Sequence, residues 1–307
     1  MPIELDEWMT MPRQQLAEEV KRFSLSVKVS IDGSTRHYLR HHPNPQGIVV
    51  NFEQYAQEGL VQLLRIIDLL FSCGVQTLSL LAIWPPDLDR REDHLRRIVH
   101  SSQDLLLGEA VLAVCTRLSV RVRLYGDYDI SPILAPVRTD LVELGRKLEQ
   151  ATPEGDHLLL WGYSGSSPLD EMIARSVSYF QEYGRLPTVD ELRLACFPIG
   201  PEKLDILIIS GLLRTGAVTL PPILDRGTDI YNLSHLIYDL TENDVRRILY
   251  DSLFLRRSSS PAEDVRYTPD VLDPLSKYYE EHANCMIGPG HMVAGKFWYP
   301  DHDHQAL

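Results

Sequence analysis

The sequence predicts an α/β fold: a single domain with a central, mostly parallel sheet flanked by helices, plus N- and C-terminal extensions. Three observations predict it. Short apolar runs that read as strands alternate along the chain with longer amphipathic runs that read as helices. Several of the strand runs are apolar almost throughout, the pattern of strands buried on both faces. The length of 307 residues suits one large domain with additions, and 44% apolar and 24% charged residues is ordinary globular composition.

Ser24 to Ile31 alternates in period two and reads as a strand. Phe52 to Ser72 reads as a helix, because Leu60, Leu63, Leu64, Ile67, Leu70 and Phe71 share a face, and Gly74 closes it. Val75 to Ile83 is an apolar strand, and Arg91 to Cys115 reads as helical with a break near Gly108. Leu118 to Tyr125 alternates again, Val137 to Glu149 carries Leu141, Leu144 and Leu148 on one side, and His157 to Tyr163 is a short apolar strand. Ser167 then caps a helix with Pro168 in its first turn, and Leu169, Met172, Ile173, Val177 and Phe180 form its expected core face. Thr188 with Glu191, and Thr241 with Asp244, mark two further helix starts. Between them Leu204 to Ile209 reads as a buried strand. Arg256 to Asp264 reads as a linker, Pro269 to Glu281 as a helix, and Gly288 to Leu307 as a flexible tail. The expected organisation is a helical extension over 1–23, a catalytic-type domain over 24–255, and a linker with a C-terminal extension over 256–307.

Charge restricts the partners. Lys and Arg number 30 against 43 Asp and Glu, a formal net charge of −13, which repels nucleic-acid backbones. An anionic ligand must therefore be held by a local cluster of cations. The four cysteines, Cys73, Cys115, Cys196 and Cys285, lack metal-ligand spacing and read as buried thiols of a reducing cytosol. Met1 to Trp8 is acidic, unlike a signal peptide, and no transmembrane segment is expected because charges interrupt every apolar stretch. There is no GxGxxG, no P-loop, and no His/Asp motif to partner Ser164-Gly165-Ser166.

The informative run is Val29 to His42, VSIDGSTRHYLRHH. Asp32 ends a strand, and Gly33 lets backbone approach a ligand. A helix starting here presents the amides of Ser34, Thr35 and Arg36 to an anion. Arg36 and Arg40, four apart, share a face of it. A carboxylate, a row of amides and two arginines suit a magnesium-bound diphosphate. A merely capped helix with solvated arginines uses the same residues, and these residues alone do not decide between the two.

This run resembles the Asp-Gly-Asn-x-Arg-Trp signature of the cis-prenyltransferases, the undecaprenyl diphosphate synthase family. Gly59 to Arg90, Leu118 to Asp127, Leu158 to Gly165, Leu204 to Gly211 and Thr228 to Val245 resemble further segments of that family in the same order. The resemblance covers residues 24 to 255 and implies the family's fold, an allylic prenyl diphosphate as substrate, Mg²⁺ as cofactor and a homodimer. It assigns Asp32 and Arg36 to catalysis, Asp32 and Asp229 to the metal, and Gly33, Ser34, Thr35, Arg36, Arg40, Arg90 and Arg214 to diphosphate. Ser34 replaces the signature's asparagine, and the family histidine before the second helix falls on Ala56. The second, acceptor-binding site departs further: Ile209 stands where the family has an arginine, and Leu212-Leu213 replace its acidic residue.

Such a chain is expected to ionise an allylic prenyl diphosphate and quench the cation internally, as a terpene synthase or cyclase does, or on a non-standard acceptor. Two rivals stand beside it: a conventional condensation with isopentenyl diphosphate, and a non-catalytic subunit that partners an active homologue. Chain length of the substrate would be set by a cavity lined by Leu105, Leu106, Ala110 and Ala113. Asp229 also reads as a solvated loop acid, Arg90 as part of a charged face, and Trp84, Trp161 and Tyr163 as core or cavity wall. His302 and His304 read as polar tail.

Overall fold

The computed structural model describes residues 3–83, 92–197, 200, 203–211, 227–256, 266–282 and 289–300. Helices α1 (Leu5–Thr10) and α2 (Arg13–Lys21) lead into strand β1 (Ser26–Val29). Then follow α3 (Ser34–His41), α4 (Phe52–Ser72), β2 (Thr77–Ile83), α5 (Glu92–Leu106), α6 (Glu109–Leu118) and β3 (Val120–Tyr125). A 3₁₀ turn over Ala135–Val137 precedes α7 (Arg138–Ala151), β4 (His157–Tyr163), α8 (Pro168–Tyr183), α9 (Val189–Cys196), β5 (Ile206–Ser210) and β6 (Asp229–Leu233). A second 3₁₀ turn (Ile237–Asp239), α10 (Glu242–Tyr250) and a π turn (Asp251–Arg256) follow, then α11 (Pro269–Glu281) and strands β7 (Gly290–Val293) and β8 (Phe297–Pro300).

Strands β1 to β6 form one sheet in the order β3-β4-β2-β1-β5-β6, and every pairing is parallel. Alternation along the strands divides the core. Val27, Val29, Leu78, Leu80, Leu159 and Trp161 join the main cluster with α1, α2, α4 to α7 and α10. Leu158, Leu160, Leu207 and Ile209 face the other way, into a smaller cluster closed by Cys196 and Phe197 at the end of α9. The local signals hold where they are strongest. Asn51 caps α4, Thr188 and Thr241 complete capping boxes with Glu191 and Asp244, and Ser167 caps α8 with Pro168 in its first turn. Gly74, at φ +92°, turns α4 into β2 so close to α2 that an added Cβ would stand 2.5 Å from the Ala17 carbonyl oxygen.

Several expectations are corrected. The apolar side of α8 does not face the core: Leu169, Ile173, Val177, Phe180 and Tyr183 are each at least half exposed, and the buried side carries Pro168 and Glu171. Glu171 reaches inward because Arg175 binds it at 2.9 Å and ties it to the turn after β3 through the Gly126 carbonyl. Of the four residues expected to line a substrate cavity, Leu106 is buried in the core, Leu105 packs partly buried against it, and Ala110 and Ala113 are exposed. Gly290–Pro300, within the expected flexible tail, forms an antiparallel hairpin of β7 and β8. The edge strand β6 carried no strand signal in the sequence; its first four residues are only half-buried.

The N-terminal helices are part of the main core. Trp8 is fully buried, its indole N–H donates to the Arg246 carbonyl at 2.8 Å, and Arg246 donates back to the Trp8 carbonyl at 3.0 Å. Arg13 pairs with Glu242 across the same seam. Among the described residues no single helix is long and apolar enough to cross a membrane; the bent pair α5–α6 passes by composition but contributes Leu95, Val99, Leu106, Val111 and Cys115 to the core. Cys73, Cys115 and Cys196 are free and buried, and desolvation pushes their thiols up to about 12, 11 and 12.

Trp8→Ala is expected to cost about 3–5 kcal/mol in urea denaturation, the range for a fully buried large side chain, and a smaller loss would show that α1 is an appendage. Lys28 gives a pH-dependent case. It sits buried on β1, and desolvation, partly opposed by the charge of Glu171, lowers its amine to about 8. Between pH 8 and 10.5 the unfolded chain therefore binds more protons than the folded one, and stability rises with pH across that window. Lys28→Met is expected to be more stable than the native chain at pH 7, with the gap narrowing as pH passes 8.

Candidate active site

The candidate site lies beyond the carboxyl ends of β1, β5 and β6, where ligands sit in parallel α/β sheets. Gly33 makes it. At φ +84° it turns the chain from β1 into α3, and an added Cβ would stand 2.8 Å from Leu236 Cδ2 and 3.1 Å from Arg36 Nη2. The first amides of α3, those of Ser34, Thr35 and Arg36, are the ones a helix leaves without intrahelical acceptors, at its positive end. Asp32 stands just before the turn with its side chain more than half exposed and accepts from Arg36 Nη2 at 2.8 Å. Gly211, directly after β5, lies beside it, with its Cβ position 3.9 Å from Asp32 Oδ2. Asn232 of β6 ties this edge together by donating to the Gly211 carbonyl at 3.0 Å.

Arg40 is held. Its guanidinium makes a two-pronged contact with Asp239, at 2.9 and 2.7 Å, and His37 Nδ1 lies 3.6 Å from the same carboxylate. Burial works against ionisation of Asp239, but the hydrogen bond and charge of Arg40, with His37 close by, hold its carboxyl below the usual range. Burial keeps the His37 imidazole below its ordinary value although Asp239 pulls it the other way, so near neutrality His37 is mostly uncharged. Two tyrosines close over the start of α3. The hydroxyls of Tyr55 and Ser34 are 2.7 Å apart, Tyr238 approaches the same side chain, and the Tyr38 ring meets Tyr55 edge-on with centroids 5.5 Å apart.

Of the expected residues, the structure brings Asp32, Gly33, Ser34, Thr35, Arg36 and Arg40 together. It does not bring Asp229 to them. Asp229 opens β6 opposite Ile206, which pairs with Val27, so it lies at the amino end of the sheet. Asp32 is five residues past Val27, on the order of 15 Å of extended chain away. There Asp229 accepts from Ser252 at 2.6 Å and from Arg256 at 3.3 Å, holding the π turn in place. Arg90 and Arg214, with Trp84, Leu212-Leu213, Cys285, His302 and His304, lie outside the described residues. Ile209 is buried among Leu207, Leu158 and Phe197, so the position read as a missing arginine is packed core. Among the described residues no group of three or more His, Cys, Asp or Glu could hold a metal ion. Magnesium commonly takes one or two carboxylates and completes its shell with water and substrate phosphates, and the exposed Asp32 fits that kind of site.

Tyr55, Tyr238 and Asp239 were missed from the sequence. A faint signal existed for two of them: Tyr55 adjoins Ala56, where the resemblance looks for a histidine, and Asp239 lies inside the matched Thr228 to Val245 segment.

No family model matches the chain. Over 297 residues it is 26% identical to tuberculosinyl adenosine transferase of Mycobacterium tuberculosis, covering 96% of this chain and 97% of that protein. Over 253 residues it is 27% identical to (+)-kolavelool synthase of Herpetosiphon aurantiacus, covering 81% of each. In structure it is similar to lavandulyl diphosphate synthase of Lavandula x intermedia, solved in complex with dimethylallyl diphosphate, with a TM-score of 0.58 and 18% identity over 74% of this chain and 94% of that one. It is also similar to a probable undecaprenyl diphosphate synthase of Campylobacter jejuni, with a TM-score of 0.54 and 16% identity over 78% of this chain and 98% of that one. The fold of the solved structures and the order of the matched motifs agree: the chain has the cis-prenyltransferase fold.

Proposed function

We propose that the protein is an enzyme that ionises an allylic prenyl diphosphate and gives the resulting cation to an internal quench or to a non-standard acceptor. The carrying observation is the cradle at Asp32 to Arg40, built on a left-handed glycine at the tip of a central strand. The amides of Ser34 to Arg36 and the guanidinium groups of Arg36 and Arg40 bind the diphosphate oxygens and stabilise the charge that grows as the allylic C–O bond breaks. Asp32 would hold Mg²⁺, which supplies Lewis-acid neutralisation of the diphosphate when bound. Each arginine already pairs with a carboxylate, so ligand charge is shared among groups that are pre-positioned and partly neutralised.

Two observations favour this over condensation with isopentenyl diphosphate. Ile209 is packed into apolar core, which leaves no room there for a second diphosphate's arginine. The sequence relatives are named as a transferase to adenosine, an acceptor that is not an isoprenoid, and as a synthase of one product. The near-complete coverage of the first relative extends the likeness to the terminal segments outside residues 24 to 255.

The protein is also proposed to work as a homodimer through α8. Beyond its exposed stripe, Leu186 and Val189 are exposed as well, more apolar surface than a solvated helix needs. A second copy would cover it.

Turnover tests the chemistry. The protein with Mg²⁺ and prenyl diphosphates of several lengths is expected to release diphosphate without isopentenyl diphosphate. Chelation by EDTA should stop release, and Asp32→Ala should lower it by about 100-fold or more. Strict dependence on isopentenyl diphosphate would restore the conventional transferase, and no release under any condition would favour the partner-subunit reading. For the dimer, sedimentation velocity is expected to give twice the chain mass of 35.0 kDa, with Ile173→Glu monomeric. A monomeric native chain at micromolar concentration would sink the assignment.

A further inference from the structure

Three elements converge on one hydroxyl. Ser34 is the first residue of α3, Tyr55 lies in the first turn of α4, and Tyr238 lies in the 3₁₀ turn after β6. Tyr55 is 2.7 Å from Ser34 Oγ, and Tyr238 approaches the same side chain. Tyr238 is buried, its ring lies 5.4 Å from His37, and burial with the nearby Tyr55 and Asp32 pushes its phenol well above the ordinary value. Tyr55 is fixed from its other side by the edge-on ring of Tyr38, which is itself 4% exposed.

The protons can be counted. Ser34 and Tyr55 carry two hydroxyl protons, and the hydrogen bond between them uses one. The other O–H is left to donate outward at the start of α3. A phenol that only packed would not need to meet a helix's first residue at hydrogen-bond distance. An anion at this helix start supplies the acceptor that the pair lacks.

We propose that Tyr55 is a catalytic residue, whose phenolic O–H, held at the start of α3 by Ser34, donates a hydrogen bond to the diphosphate as it departs. The donor strengthens its bond as negative charge collects on the leaving oxygen, so it acts more on the transition state than on the bound substrate. No proton is transferred: the C–O bond breaks heterolytically, both electrons leave with the diphosphate, and the phenol stays intact. This inference rests on the proposed diphosphate chemistry.

Tyr55→Phe keeps the ring against Tyr38 and removes only the hydroxyl. It is expected to lower kcat for diphosphate release by about 30- to 100-fold with KM within about threefold. The variant should also bind inorganic diphosphate with Mg²⁺ more weakly by calorimetry, while its thermal unfolding stays near that of the native chain. If Tyr55→Phe unfolds early, Ser34→Ala serves instead, since it cuts the same relay at α3 and should show the same loss in kcat. Native rate and native diphosphate affinity in a folded variant would overturn the assignment of Tyr55 alone. If the native chain releases no diphosphate from any prenyl substrate, the enzymatic reading falls instead. The calorimetric comparison then still reads Tyr55, and equal affinities would overturn it as well.

Discussion

Gly33 turns the chain out of a central strand at φ +84°, a left-handed backbone, in a crowded space. An added Cβ would strike Leu236 on one side and the Arg36 guanidinium on the other. The left-handed backbone there is open to glycine at little cost and strained for other residues. Everything in the site follows from that turn. It aims the first amides of α3 away from the sheet, stacks Arg36 back over Asp32, and sets Arg40 one turn later against Asp239. Because β1 pairs with β2 on one side and β5 on the other, the turn is anchored by the most constrained part of the sheet.

Charge is the second constraint. A chain of net charge −13 repels a polyanionic ligand at long range, so binding depends on groups at contact. The arginines of the cradle do not stand as bare cations. Arg36 with Asp32 and Arg40 with Asp239 are pairs whose geometry exists before any ligand arrives. Their carboxylates lower the local positive potential, which weakens ground-state attraction. They also remove much of the entropic cost of ordering long side chains. On the proposed chemistry, in which departing diphosphate is favoured over bound substrate, donors fixed in place serve better than numerous ones.

How much could be read from the sequence depends on how local the cause was. The start and end of α4, the caps of α8, α9 and α10, and the break at Gly108 come from residues within one or two turns of each other, and these match. Asp32, Gly33 and Arg36 were legible for the same reason, as a strand, a turn and a helix start in one short run. Asp229 was not, because its position rests on the register of β6 against β5, which no local pattern encodes. Nor were Tyr55 and Tyr238: they meet Ser34 from 21 and 204 residues away, through packing of α4 and of the 3₁₀ turn. The β7–β8 hairpin was passed over because its short strands, among them the aromatic run Phe297-Trp298-Tyr299, adjoin the polar end of the chain.

The misreading of α8 has a cause that bears on assembly. A parallel sheet needs cover on both faces, and the main core supplies it on one. On the other, among the described residues, the small cluster around Phe197 is closed by α9, while α8 turns Glu171 and Arg175 inward and its leucine, isoleucine, valine and phenylalanine outward. An amphipathic helix with its polar side toward the sheet costs desolvation of Glu171, whose carboxyl burial pushes up despite Arg175. That arrangement is unfavourable for an isolated chain and sensible for a layered one. In the proposed dimer a second copy would cover the outward stripe of α8, and the periodicity of the sequence alone does not say whether such a stripe meets its own sheet or another molecule.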